Sequence, residues 1–106
     1  MQDKSVLFVQ SFSLLANEIA EFSEARDWSQ FHTPRNIVLA LLGEVGELAE
    51  LVQWKGDDEV TFTEQELDKL GQELADVTIY LLRLTFISQL VEQVQASLQD
   101  SLSMPE

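Results

Sequence analysis

The chain has 106 residues, 45% of them hydrophobic and 24% charged, with 4 Gly, 2 Pro and no Cys. That length implies one domain over residues 1–106, and the Gly- and Pro-poor mix excludes collagen-like, disordered and turn-rich sheet folds; without Cys, disulfide frameworks, thiolate metal sites and thiol catalysis are excluded too. The balance of 6 Lys and Arg against 19 Asp and Glu leaves a formal charge of −13, which argues against a nucleic acid polymer as partner but not against a small polyanion reached through cations.

In chain order, Val6, Val9, Phe12, Leu15, Ile19 and Phe22 recur at spacings of three or four, which predicts an amphipathic helix over residues 5–26 with Glu18, Glu21 and Glu24 on its polar side. The start of this segment is interrupted by Gln and Ser and does not read as a signal peptide, and no apolar run approaches the roughly 20 residues of a membrane span. The expectation is a cytoplasmic protein with no membrane partner. An irregular stretch at 27–33 holds Trp28, Phe31 and the single histidine, His32.

Thr33 followed by Pro34 predicts an N-cap and first helical residue, because Pro lacks the donor that position would leave unused. A second helix is expected from Pro34 to about Trp54, ending near Lys55-Gly56, where Gly lets the chain turn out. After the acidic link Asp57-Asp58-Glu59, Thr63-Glu64-Gln65-Glu66 fits a capping box. From there to Leu102 the only breaker is Gly71, so either one long helix or two with a break near Ser88 would fit. The predicted fold is all-α.

Between residues 74 and 87 the third segment is apolar nearly all round, through Val77, Ile79, Leu81, Leu82, Leu84 and Phe86. A few helices from one small chain do not cover such a surface, which predicts a helical bundle completed by homo-oligomerisation. A tetramer built from dimers is favoured over a dimer. Leu84, Ile87, Val91, Val94 and Leu98 form a coiled-coil-like seam that fits packing between chains or within one.

At about 100° per residue, Ile37, Leu41, Val45, Leu48 and Val52 form the core stripe of the second helix. Glu44 and Glu47 flank it on one edge, whereas Glu50 points to the opposite face. Gly43 and Gly46 are costly in mid-helix and point to close approach of another helix. On the third helix Glu73 and Asp76 repeat the three-residue spacing, with Tyr80 following one turn later. Two acidic pairs on two helices that pack together would make a nest of four carboxylates, and oxygen donors without His or Cys suit Mg²⁺, with Mn²⁺ as an alternative, over zinc. Such a site binds phosphates through the metal. The plainer alternative is a solvated acidic face. A di-iron bundle would want Glu-x-x-His pairs, and His32 has no Glu three residues before it.

The words Glu44-Val-Gly-Glu47-Leu-Ala-Glu50 and Glu73-Leu-Ala-Asp76 resemble the E-x-x-E…E-x-x-D signature of the MazG-like all-α nucleoside triphosphate pyrophosphatases. Arg26-Asp27-Trp28, Phe31-His32, Pro34-Arg35-Asn36 and Gln53-Trp54-Lys55 make the likeness most specific to the dCTP pyrophosphatase type, over roughly residues 20 to 84. The resemblance implies Mg²⁺-dependent hydrolysis of deoxynucleoside triphosphates, dCTP among the best, to the monophosphate and pyrophosphate, as house-cleaning of the nucleotide pool. It further implies that Glu44, Glu47, Glu73 and Asp76 are catalytic metal ligands, that Trp28, Trp54 and Tyr80 line the base and sugar pocket, and that Lys55 faces the phosphates.

Read without the resemblance, Trp28 and Trp54 fit core plugs equally well, His32 braces its loop, and Arg35 caps structure or faces solvent. The chain departs from the type in two places. Ile19 stands where the mammalian members carry a His near the base, which argues for tolerance of other deoxynucleotides. Residues 91–106 contain no Lys or Arg where the family commonly has a basic tail, and Arg83 is a substitute phosphate contact. The rival from another functional class is a non-catalytic acidic helical module that binds partners through its seam.

Overall fold

The computed structural model describes residues 4–56 and 62–103 and contains only helices among them: α1 (Lys4–Ala25), a 3₁₀ helix (Trp28–Phe31), α2 (Pro34–Val52), α3 (Glu64–Ile87) and α4 (Val91–Ser103). The acidic link Asp57-Asp58-Glu59 and the side-chain burial of Val6 and Val9 lie outside the described residues. Among the described residues no helix is long and apolar enough to cross a membrane.

Local chemistry sets the helix starts. Thr33 Oγ1 accepts from the Asn36 amide at 3.1 Å ahead of Pro34. Thr63 and Glu66 close a reciprocal capping box, with the Glu66 amide donating to Thr63 Oγ1 at 3.1 Å and the Thr63 amide donating to Glu66 Oε1 at 2.9 Å. One helix end differs from expectation. Helix α2 stops at Val52, and Gly56 takes no left-handed conformation there. Between the two arrangements open for the last segment, the chain breaks: α3 ends at Ile87, and Gln89 adopts φ 59°. The Gln89 amide donates to the Phe86 carbonyl and the Leu90 amide to the Thr85 carbonyl, both at 3.0 Å. That is a Schellman cap with glutamine where glycine usually sits.

Helices α2 and α3 make the most extensive pairing and run antiparallel, because Lys55 meets Glu66 at one end while Glu44 and Glu47 meet Glu73 further along. Helix α1 packs on α3, and α4 closes on α1, where the buried Gln95 donates to Ser13 Oγ. The buried line of α1 is Ala16, Ala20 and Ser23 rather than the predicted stripe, of which Leu15 and Phe22 are exposed and Phe12 and Ile19 half-buried. Small side chains let a neighbouring helix come closer than Leu or Phe would.

The apolar core of one chain is thin. Among the described residues only Ala16, Ala20, Ile37 and Leu82 are buried apolar ones, and the predicted stripe of α2 leaves Val45 and Val52 exposed. Leu39, Leu42, Leu74, Ile79 and Leu81 are exposed as well. Among the described residues no atom lies within 4 Å of a Cβ placed at Gly43 or Gly46, so none of the described helices makes the expected close approach. The radius of gyration is 16.4 Å, against about 13 Å for a compact domain of this size.

Candidate metal centre and adjoining cavity

Glu44 and Glu47 sit one turn apart on α2, and the antiparallel neighbour α3 brings Glu73 opposite them. One carboxylate oxygen from each of the three lies within 4.8 Å of the others. Glu73 is 2% exposed, and its Oε1 pairs with Lys69 Nζ at 2.8 Å. Its Oε2 and Glu44 Oε2 are buried and, with both carboxyls ionised, receive no hydrogen bond. Two such oxygens in one place are costly unless a cation or a proton joins them.

The proton equilibria follow from this crowding. The Glu44 carboxyl is raised to about 7, first by a carboxyl–carboxylate hydrogen bond with Glu73, then by desolvation, then by the charges of Glu47, Glu73 and Asp76. Glu47 is raised as well, through Glu73. Glu73 moves down, first because Lys69 donates to it and then because a protonated Glu44 or Glu47 can share its proton with it, against the opposing effect of desolvation. A proton thus stands in for a cation. The donor set, all carboxylate oxygen, fits a hard divalent ion.

Asp76 lies one turn beyond Glu73 and is not one of the three clustered carboxylates, although its charge acts on Glu44. It instead lines a cavity of about 720 Å³ between α1, the 3₁₀ helix and α3, so one side chain adjoins both features. The cavity walls are mostly apolar: Leu15, Ile19 and Phe22 from α1, Trp28, Phe31 and His32 from the connecting segment, and Ile79 and Tyr80 from α3. Trp28 is set edge-on to Phe22, centroids 5.4 Å apart, and the Arg26 guanidinium lies 3.4 Å over the Phe22 ring. The Phe31 carbonyl accepts from Asn36 Nδ2 at 2.9 Å, which ties the segment to the start of α2.

The structure therefore gathers Glu44, Glu47 and Glu73 in one group and Asp76, Trp28 and Tyr80 around the adjoining cavity. Trp54 and Lys55 are not brought there within one chain. Trp54 is 88% exposed and does not line the cavity, because α2 ends before it. Lys55 pairs with Glu66 at 3.1 Å and lies 4.9 Å from the Phe62 ring centroid, clamping the start of α3.

Arg83 does not reach out to solvent as a substitute phosphate contact would. It is 4% exposed, and its guanidinium donates from Nε to His32 Nδ1 at 2.9 Å and from Nη2 to Ser29 Oγ at 3.1 Å. Phe22 and Phe31 line the cavity although the sequence reading gave them no site role, Phe22 being read into the stripe of α1 and Phe31 only as part of Phe31-His32. Ser29, the second partner of Arg83, carried no sequence signal.

The model of the MazG nucleotide pyrophosphohydrolase domain matches residues 32–104, from His32 through α4, and so includes both acidic pairs. The chain belongs to this family. Members of known name that it resembles are dCTP pyrophosphatase 1 of Bos taurus, 56% identical over 68 residues, and those of Mus musculus and Homo sapiens, each 57% identical over 68 residues. Each match takes in 61% of this chain and 40% of the relative, so the chain spans about two fifths of the length of the MazG-family proteins it matches. The all-α architecture is that expected of a MazG domain.

Proposed function

We propose that this chain is a single-domain, Mg²⁺-dependent nucleoside triphosphate pyrophosphatase of the cytoplasm, acting on deoxynucleotides including dCTP to release the monophosphate and pyrophosphate. The observation that carries the reading is the pair of donorless buried oxygens, Glu44 Oε2 and Glu73 Oε2, next to an aromatic cavity that shares Asp76 with them. Membership of the pyrophosphohydrolase family and the likeness to dCTP pyrophosphatases support the substrate class.

In this reading Glu44, Glu47 and Glu73 hold the ion, with Asp76 completing the set from the cavity side. Mg²⁺ would supply charge neutralisation at the phosphates and a more acidic bound water; Mn²⁺ fits the same donors. The protein's own part is positional. Lys69 balances one of the clustered charges and keeps Glu73 ionised. Trp28 and Tyr80 receive base and sugar in the low-dielectric cavity, which directs the phosphates past Asp76 toward the carboxylates. Ile19 in the cavity wall presents no hydrogen-bonding group, which favours tolerance among bases.

The exposed apolar residues of α2 and α3 favour homo-oligomerisation, with a tetramer built from dimers as the expected form. Assembly is also how Trp54 would reach a cavity as a substrate-binding residue, and Lys55 would have to leave Glu66 to face phosphate. Pyrophosphate release from dCTP, measured with and without Mg²⁺, tests the function. No release and no nucleotide binding would favour the acidic interaction module instead.

A further inference from the structure

Arg83 is a buried cation with no carboxylate of the described residues at ion-pairing distance; only the more remote charge of Glu24 favours its ionised form. Two of its donors are spent on neutral partners from one segment, Ser29 Oγ and His32 Nδ1, more than fifty residues away along the chain. An Nδ1 that accepts from a guanidinium carries no proton, so the neutral ring has its hydrogen on Nε2. Burial, and then the nearby Arg83 charge, hold His32 below its ordinary pKa, which keeps the ring neutral. His32 and Arg83 both line the cavity, with the Trp28 ring 6.2 Å from the imidazole.

We propose that Arg83 is a positioning residue: it holds His32 as the Nε2–H tautomer and ties the segment carrying Trp28 to α3, so that the cavity wall offers one fixed hydrogen-bond donor to an acceptor atom on the base or sugar of the nucleotide. The proposal rests on the nucleotide reading of the cavity. It assigns the buried guanidinium to the shape and polarity of the pocket rather than to the phosphates. A carbonyl or ring nitrogen of a base, or a sugar oxygen, is the chemistry such a donor recognises.

His32 is the only histidine of the chain, so imidazole nitrogen resonances of ¹⁵N-histidine-labelled full-length protein report on it alone. The nucleotide-free wild type is expected to show a protonated Nε2 and an unprotonated Nδ1. Arg83→Met, checked for retained helicity, should average the two nitrogens toward a tautomer mixture. It should also weaken dCTP binding by roughly 3- to 10-fold, the scale of one neutral hydrogen bond, and raise KM more than it lowers kcat. Arg83→Lys cannot make both contacts and should restore neither signature fully.

A wild-type spectrum with Nδ1 protonated, or with both nitrogens already averaged, overturns the proposal without touching the functional reading, and so does dCTP affinity unchanged in a folded Arg83→Met. If Arg83→Met does not fold, the wild-type spectrum and the shift of its Nε2 signal on adding dCTP decide; an Nε2 signal that dCTP leaves unmoved although it binds overturns the donor's role. Wild-type protein that shows the Nε2–H pattern yet neither binds nor cleaves dCTP overturns the functional reading and the donor's role together.

Discussion

Glu44 of α2 and Glu73 of α3 each turn a buried Oε2 toward space where no donor meets it. The two helices bring these carboxylates together because α2 and α3 run antiparallel, with Glu47 one turn from Glu44 and Lys69 one turn from Glu73. Lys69 neutralises only one of the clustered charges, so the site retains demand for a further cation.

That demand sets a pH dependence. In the metal-free chain Glu44 is raised from 4.5 to about 7, so the folded state holds this proton more tightly than the unfolded state does. Its stabilising contribution is complete below about 4.5 and is lost as pH rises through about 7. Glu73, shifted down, works the opposite way, contributing above its ordinary value and losing the contribution as pH falls through its lowered one. The expected outcome is a metal-free Tm that declines as pH rises through neutrality, restored by Mg²⁺, with protons released on metal addition below about pH 7. Calorimetry in buffers of different ionisation enthalpy reads the release. A proton-silent titration at pH 6 would contradict the shift of Glu44.

Trp28 and Trp54 are placed differently: the first lines the cavity and the second does not. Trp28 lines the cavity, and Trp28→Ala should cost nucleotide binding roughly 1–3 kcal/mol, the scale of base–aromatic stacking. Trp54, exposed at the end of α2, should lose a similar amount on substitution only in the assembled protein, where a second chain can place it. Equilibrium titration with dCTP checks both. Full affinity in Trp28→Ala would mean that the base binds elsewhere.

How much of this could be read without coordinates follows the range of each interaction. Thr33-Pro34 and the Thr63–Glu66 box span a few residues, so their chemistry is local and both helix starts lie where expected. The two acidic pairs were readable because a three-residue spacing fixes a helix face whatever packs against it. The cap at Gln89 carried no such signal, since the left-handed residue there is not glycine. The buried line of α1 runs through Ala16, Ala20 and Ser23 because helix packing selected small residues over the larger apolar ones. Arg83 reaching His32 is a tertiary contact that no local pattern encodes.

The left-handed Gln89 offers a direct stability test. Glycine enters that conformation without the steric cost a β-carbon brings, so Gln89→Gly should raise stability by roughly 0.5–1 kcal/mol, read by urea unfolding. A loss of stability would mean that the Gln89 side chain holds the α3–α4 corner.

The exposed apolar residues of α2 and α3 bear on assembly. Light scattering at micromolar concentration should find a homo-oligomer, with a tetramer as the expected species. A clean 12.0 kDa monomer would contradict it.

The carboxylate cluster is tested most directly by Mg²⁺-dependent pyrophosphate release from dCTP in Glu47→Gln beside Glu50→Gln. Glu47 belongs to the clustered group, while Glu50, one turn on, does not. Glu47→Gln is expected to stay folded, with metal-free thermal stability held or raised by relief of repulsion, while turnover falls by roughly 100-fold or more. Substitution of Glu44 or Asp76 should follow the same pattern; Glu73→Gln should lose turnover too, with some loss of metal-free stability because the Lys69 pairing goes with its charge, and Glu50→Gln should remain folded and active. Normal turnover and normal Mg²⁺ dependence in Glu47→Gln would contradict the proposed site.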